Sequence, residues 1–399
     1  MSQFQTVIQA FSVPASLGFI DKQIPYFRKR GVEMQIICSS GADLTAFAEK
    51  YGVAYEVVPF IRSITPLNDL YCLWRSYRLF KKKKPVIVHG NTPKAGLLSM
   101  LAAFLAGVPI RIYEIHGFPF ESRRGFSRWL LMTMERIACQ AATQILLVSS
   151  SLRNQAVKLN ITDAAKLTVP HHGSCNGVDA IDRYNPARLD GQKVARLKET
   201  LNLNGPVIGF VGRLTRDKGI LELAKAWKMI RDDFPELLLL IVGPSELVTA
   251  AEKEIIDELL QHPRVRWIGF VADIEYYYAL LDFILLPTYR EGLGNVLLEA
   301  GAMEVPAIAS RVTGTVDALI EGKTGLFCEP YSAESLAGQI RNYLNNPELV
   351  REHGRNSRER VLRDFAPIDV WNAKYKIYKQ AFQSVGIALD DSAKHSVEA

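Results

Sequence analysis

Two glutamates eight residues apart, Glu291 and Glu299, sit in the run PTYREGLGNVLLEAGA. The first falls in a glycine-flanked turn after the apolar run 283–287, and the second lies inside the helix that should follow. A strand, a glycine-rich turn and a helix N-terminus make an anion-binding corner, because free backbone N–H groups and the positive end of the helix dipole favour a phosphate. A carboxylate in that corner repels a phosphate. It is better employed on a neutral, hydroxyl-rich group joined to the phosphate, such as a sugar. The pattern points to nucleotide-sugar chemistry. Glu291 would face sugar hydroxyls, and the amides of Gly292, Leu293, Gly294 and Asn295 would face the diphosphate.

Arg213 and Lys218 follow a second apolar run (207–213) and precede GILELAKAW, which reads as a helix. Two cations at a strand end suit a leaving diphosphate, since fixed charge aimed at developing charge lowers the barrier. No D-x-D occurs, and D-I-E at 273–275 falls outside any suitable corner. Arg213 and Lys218 can do the work of a divalent ion, so the expectation is metal-independent catalysis without a cofactor. Neither G-x-G-x-x-G nor G-x-x-x-x-G-K-[ST] is present, which argues against nicotinamide and P-loop chemistry. The twin His171–His172 lacks the partners a metal site needs and reads as structural.

These residues need rigid elements. Short β-rich runs alternate with helical patterns at 6–13, 33–40, 55–60, 86–90, 110–117, 144–150 and 166–172, and again at 207–213, 237–244, 265–271, 283–289, 307–310 and 325–329. Continuous apolar runs separated by helices indicate buried parallel strands, hence α/β architecture with two Rossmann-like, doubly wound domains. At 399 residues, two domains are the expected number. The turn-rich stretch 173–206 separates a first domain, 1–180, from a second, 200–364. Ligands of such sheets bind beyond the C-terminal strand ends, so a cleft between facing sheets is expected. The five cysteines hold no C-x-x-C pair, which suits a reducing cytosol. No run of 18 apolar residues marks a membrane span, and the N-terminus reads as a strand rather than a signal peptide. Residues 1–179 carry 21 Lys+Arg against 11 Asp+Glu, while the remainder carries 27 against 31. The basic half either faces an acidic membrane or a phosphate-bearing acceptor, or holds ordinary solvated charge. No nucleic-acid recognition motif accompanies it.

In combination these motifs resemble family 4 of the retaining glycosyltransferases. The E-x7-E run Glu291–Glu299, the stretch GFVGRLTRDKG with Arg213 and Lys218, and PAIASRVTGTVDALIEGKTGLF carry the likeness in the second half. IYEIHGFPFE, ILLVSSSLRNQA and HHGSCNGVD resemble its capsule- and glycan-assembly branch. The resemblance covers roughly 5–385 and implies the GT-B fold, with a helix at 365–385 crossing back to an acceptor-binding first domain and a nucleotide-sugar-binding second domain. It implies transfer of a hexosyl or N-acetylhexosaminyl group from a nucleotide sugar, UDP-linked, to a polyprenyl-diphosphate-linked saccharide. Arg213 and Lys218 become a phosphate clamp, Glu291 orients the donor sugar, and Glu299 binds ribose hydroxyls. His116 becomes a positioning histidine near the reaction centre, because the leaving phosphate takes the acceptor proton. Gly18 matches a loop approaching donor phosphates.

His89 is a second strand-end histidine, and Glu121, Arg123 and Arg124 are further candidates for the acceptor side. The stretch 71–85 mixes Tyr71, Trp74, Tyr77 and Phe80 with six cations. It is either core with a solvated end or an interfacial segment on anionic lipid. The enzyme is expected in the cytoplasm, either free or peripheral on the inner face of the cell membrane. Residues 386–399 read as a frayed tail. Two departures stand out: Gly294 replaces the proline usual in relatives, and Glu304-Val305 replaces a Cys-Gly pair. The competing readings are a nucleotide-sugar epimerase and a non-catalytic nucleotide-sugar-binding protein.

Overall fold

The computed structural model describes residues 4–246 and 249–389. The chain divides into two compact units, one formed by residues 1–177 with 367–399 and the other by 178–366. The stretch 178–199, left to the first domain or the linker by sequence, therefore belongs to the second unit.

The first unit holds β1 (Gln5–Ala10), β2 (Val32–Cys38), β3 (Tyr55–Val57), β4 (Ile87–Asn91), β5 (Ile110–Ile115), β6 (Gln144–Leu147) and β7 (Leu167–Thr168). They form one parallel sheet in the order β3-β2-β1-β4-β5-β6-β7. The second unit holds β8 (Val207–Val211), β9 (Leu238–Val242), β10 (Val265–Trp267), β11 (Phe283–Leu286), β12 (Ala307–Ser310) and β13 (Gly325–Cys328), in the order β10-β9-β8-β11-β12-β13, again all parallel. Winding reverses at β1/β4 in one sheet and at β8/β11 in the other, and such switch points are where doubly wound sheets take ligands.

All thirteen strands lie within the apolar runs or overlap them, but most runs outlast their strands. The run at 283–289 pairs only through Leu286. Pro287 and Thr288 remain buried yet leave the ladder, because the Thr288 hydroxyl and the Tyr289 amide donate instead to the Asp217 carbonyl. Apolar character thus marks burial, and the ladder stops where another backbone claims the hydrogen bonds. Among the described residues no helix is long and apolar enough to cross a membrane.

The helix Pro367–Gln383 belongs to the first unit and buries Tyr375, Tyr378 and Phe382 in its core with Phe27 and Ile24. Of the expected tail, residues 386–389 are described, and they are not frayed: Leu389 is buried in this core and the Ile387 amide donates to Phe382 O. Residues 390–399 lie outside the described residues.

Lys374 of that helix is 3 % exposed and meets Glu114, 2 % exposed, at 2.8 Å from both carboxylate oxygens. Its third hydrogen bond goes to Cys175 O. Gln9 donates to the Tyr378 hydroxyl, which leaves the phenol proton for His89 Nδ1 at 2.5 Å. His89 Nε2 lies 3.1 Å from Glu114 Oε2, a close electrostatic contact that lacks hydrogen-bond geometry. Burial alone would raise the Glu114 carboxyl, but Lys374 and His89 outweigh it and hold it well below the ordinary range. His89, expected on the acceptor side, is 1 % exposed. Both its nitrogens face this network, so its place is structural and not open to an acceptor.

The helix Asn295–Ala302 ends without a glycine, as its sequence indicates. The residue that takes the left-handed turn past the helix, Glu304, has φ 62°. Its amide donates to Gly301 O and the next one to Ala300 O, so the left-handed turn forms despite the side chain.

Two stability predictions follow from these features. Lys374→Met should lower unfolding free energy by about 3–5 kcal/mol in chemical denaturation, since it strands a buried carboxylate; a loss under about 1 kcal/mol would refute the pairing. Glu304→Gly should raise it by about 0.5–1 kcal/mol by relieving the left-handed backbone; destabilisation would show that Glu304 is held there by favourable contacts.

Candidate functional site

Lys218 closes a short turn, Arg216–Lys218, after β8, and Glu291 lies in the turn after β11, the neighbouring strand. The two turns are bound together by backbone. Thr288 Oγ1 and the Tyr289 amide both donate to Asp217 O, at 3.0 and 2.9 Å. Thr215 donates to the Asp217 carboxylate at 2.7 Å, and Arg290 meets the same carboxylate at 3.3 Å. Lys218 Nζ consequently reaches Glu291 Oε1 at 2.5 Å. The Glu291 amide donates to Thr313 O. Gly314 supports the turn from below: it has φ 86°, and a Cβ there would sit 2.7 Å from the Glu291 carbonyl oxygen.

Arg213, half-exposed, donates from Nη1 to both carboxylate oxygens of Glu246, at 2.9 and 2.8 Å. The expected cations therefore lie at one strand end, each already facing a carboxylate. Gly292 through Asn295 lead directly into the helix Asn295–Ala302. Gly294 takes φ 80° at its N-cap, a conformation closed to a proline, whose ring holds φ near −65°.

Glu299 projects from the same helix and accepts a 3.0 Å hydrogen bond from the Tyr278 hydroxyl. Burial pushes its carboxyl up, against the hydrogen bonds of Tyr278 and Tyr184. Asp217, Glu246, Tyr184 and Tyr278 were absent from the sequence reading. Tyr278 sits in an ordinary apolar stretch, IEYYYALL, and only the folded chain aims its hydroxyl at a carboxylate.

In the first unit His116 follows the end of β5 and stacks on Phe19, ring centroids 4.2 Å apart. Phe19 neighbours Gly18 in the short helix Pro14–Ile20, so the Gly18 loop and His116 are brought together. A Cβ at Gly18 would meet nothing within 4 Å, which leaves open space beside this loop. The organiser is Asn176, also missed from sequence. Its amide donates to Gly18 O and Asp21 O, and its oxygen accepts from Gln23 and Trp371. Burial lowers His116 to about 4, opposed by Glu114 and assisted by Lys374, so the imidazole is neutral at neutral pH. Glu121 lies in the short helix Pro119–Ser122 three residues past Phe118, and Arg123 and Arg124 follow it, exposed. No group of three or more His, Cys, Asp or Glu suited to a metal occurs among the described residues. All five cysteines are free and buried.

Comparison with known proteins adds an independent line. A family model described as Glycosyl transferases group 1 matches residues 192–360, and one described as Glycosyltransferase Family 4 matches residues 20–174. The capsular polysaccharide biosynthesis glycosyltransferase CapM of Staphylococcus aureus is 34% identical, over 94% of this chain and 97% of its own. The UDP-Gal:alpha-D-GlcNAc-diphosphoundecaprenol alpha-1,3-galactosyltransferase of Escherichia coli is 30% identical, over 71% and 72%. Among solved structures, Anabaena HepE in complex with UDP and glucose superposes with a TM-score of 0.76 at 19% identity, covering 94% of this chain and 100% of that one.

His116, partly exposed but with its Nε2 buried, generates a pH prediction. The His116 side-chain NMR resonances, assigned by their loss in His116→Gln, should not titrate between pH 8 and about 5. From the ordinary value of 6.5 down to about 4 the unfolded chain takes up this proton and the folded chain does not, so stability should fall as pH drops through that window. A His116 titration midpoint near 6.5 would contradict the enclosed geometry.

Proposed function

The chain belongs to family 4 of the glycosyltransferases, and from that membership we propose a retaining, metal-independent enzyme that moves a hexosyl or N-acetylhexosaminyl group from a UDP-sugar to a polyprenyl-diphosphate-linked saccharide in capsule-type glycan assembly. The observation that carries this reading is the Lys218–Glu291 contact of 2.5 Å at the β8/β11 switch point. It sets a cation for a diphosphate beside a carboxylate for sugar hydroxyls. Both relatives' names support the setting, one through capsular polysaccharide and one through UDP-Gal and a diphosphoundecaprenol acceptor.

On this reading Lys218 and Arg213 meet the charge that grows on the departing diphosphate, and Arg213 exchanges Glu246 for phosphate oxygens as the donor arrives. Both pairs are partly exposed, so the exchange has a low desolvation cost. Glu291 holds hydroxyls of the sugar as its ring becomes cationic. Glu299, already accepting from Tyr278, has acceptor capacity left for the ribose diol. His116, neutral, positions the sugar by hydrogen bonding and takes no proton in the transfer. Glu121, Arg123 and Arg124 face the acceptor, the two arginines as partners for its diphosphate. Gly18 lets the donor phosphates approach.

The test is nucleotide release from UDP-, GDP- and ADP-sugars with EDTA present, with and without a membrane lipid extract. Lipid-stimulated release from a UDP-sugar is expected, falling by about 10²–10³ in Lys218→Ala and Glu291→Ala. Loss of release on EDTA addition would overturn metal independence. Isomerisation of the donor without nucleotide release would replace the transferase by an epimerase.

A further inference from the structure

The first unit carries an apolar face that its own core does not use. The helix Pro66–Lys83 buries Cys72, Ser76 and Phe80. On its opposite side Leu67, Leu70, Tyr71 and Trp74 recur at three- and four-residue spacing, and Leu67 is 87% and Trp74 50% exposed. The same outer side continues into cations. Arg78 lies over the Trp74 ring at 5.0 Å, and Arg75, Arg78 and Lys82 line a groove with Glu56, Val58 and Leu79. This revises the reading of 71–85 from sequence. Phe80 is core, and the exposed apolar set begins earlier, at Leu67.

A second set stands on the helix Gly125–Ala141, whose first turns expose Phe126 (73%) and Trp129 (55%), stacked at 5.5 Å. Arg123 and Arg124 precede them, exposed. Both helices pack against the helix Pro93–Ala106. Each of the three leaves the C-terminal side of a parallel strand, so their first turns lie at one end of the sheet. Lys94 in the first turn of the middle helix holds Asp69 of the first helix at 2.5 Å. The nearby carboxylates are thereby occupied, Asp69 by Lys94 and Glu56 by Lys83 at 3.2 Å.

We propose that this end of the helix layer docks on an anionic lipid bilayer, with Leu67, Leu70, Trp74, Phe126 and Trp129 entering the acyl boundary and the flanking arginines and lysines on headgroup phosphates. Leucine and tryptophan beside a basic rim match the composition of an interfacial segment. The net charge of residues 1–179, 21 cations against 11 anions, complements an anionic leaflet. Docking there brings the transferase to a lipid-anchored acceptor. The proposal goes beyond the transferase reading and does not depend on it, because vesicle binding needs neither donor nor acceptor.

Flotation of the full chain with vesicles of phosphatidylcholine, alone or with about 30% phosphatidylglycerol, tests it. The wild type is expected to float with the anionic vesicles and weakly with the neutral ones. Combined Leu67→Ser, Leu70→Ser and Trp74→Ser should lower the partition coefficient more than about tenfold, and Phe126→Ser with Trp129→Ser at least about threefold. Combined Arg75→Gln, Arg78→Gln and Lys82→Gln should abolish the preference for phosphatidylglycerol. These side chains are exposed, so unchanged thermal unfolding and unchanged UDP binding will show that the variants are folded. Failure of the wild type to float overturns the proposal, as does flotation of the apolar triple variant at the wild-type level. A wild-type dimer that the triple variant dissociates, with flotation unaffected, would assign the face to a second copy of this chain instead.

Discussion

The strand-end corner depends on a single backbone acceptor, the carbonyl oxygen of Asp217. Beyond Val211 and Leu286 the strands β8 and β11 no longer pair, and their following residues need other partners. The Thr288 hydroxyl and the Tyr289 amide both find Asp217 O. That convergence, with the Arg290–Asp217 carboxylate pair beside it, clamps the turn carrying Lys218 to the turn carrying Glu291. A lysine has four flexible methylenes and would otherwise sample many positions. Here its backbone is fixed against its partner's backbone, so the 2.5 Å contact is a consequence of loop geometry rather than of the ion pair's own strength.

The two units use charge in opposite ways. In the second, Arg213–Glu246 and Lys218–Glu291 are within reach of water, where an ion pair is weak and readily exchanged. In the first, Lys374, Glu114 and His89 are sealed from water, where losing one partner leaves an uncompensated charge. The exchangeable pairs suit a ligand that must enter and leave. The sealed network suits a permanent join, fastening the last helix of the chain to β4 and β5 beneath His116. Burial, assisted by Lys374 and His89, outweighs the pull of Glu114 and keeps the His116 imidazole neutral.

Two residues at positive φ frame the helix that carries Glu299. Gly294 permits a positive φ at the head of the helix Asn295–Ala302, and Glu304 accepts a left-handed φ at its foot. Both ends of the helix bearing Glu299 are therefore set by residues at positive φ. The expected glutamates remain on the turn and on the helix.

Much was legible in the order of residues alone. Parallel strands buried on both faces must be apolar throughout and separated by helices, so thirteen runs and two doubly wound units could be read from hydropathy. The pairs Arg213/Lys218 and Glu291/Glu299 could be read because turns after strands are local, and local spacing places side chains on one strand end. What sequence order did not reveal depends on contacts between distant segments. Asn176 reaching Gly18, Tyr278 reaching Glu299, Glu246 reaching Arg213 and Lys374 reaching Glu114 each join residues from separate segments, and no local spacing marks the two as partners. His89 shows the same limit from the other side: a strand-end histidine reads as a site residue until Tyr378, 289 positions later, closes over it. Sequence spacing determines which groups can share a face. Only tertiary packing decides which of them meet water and which are spent on one another, because burial and partnership are properties of the whole folded chain.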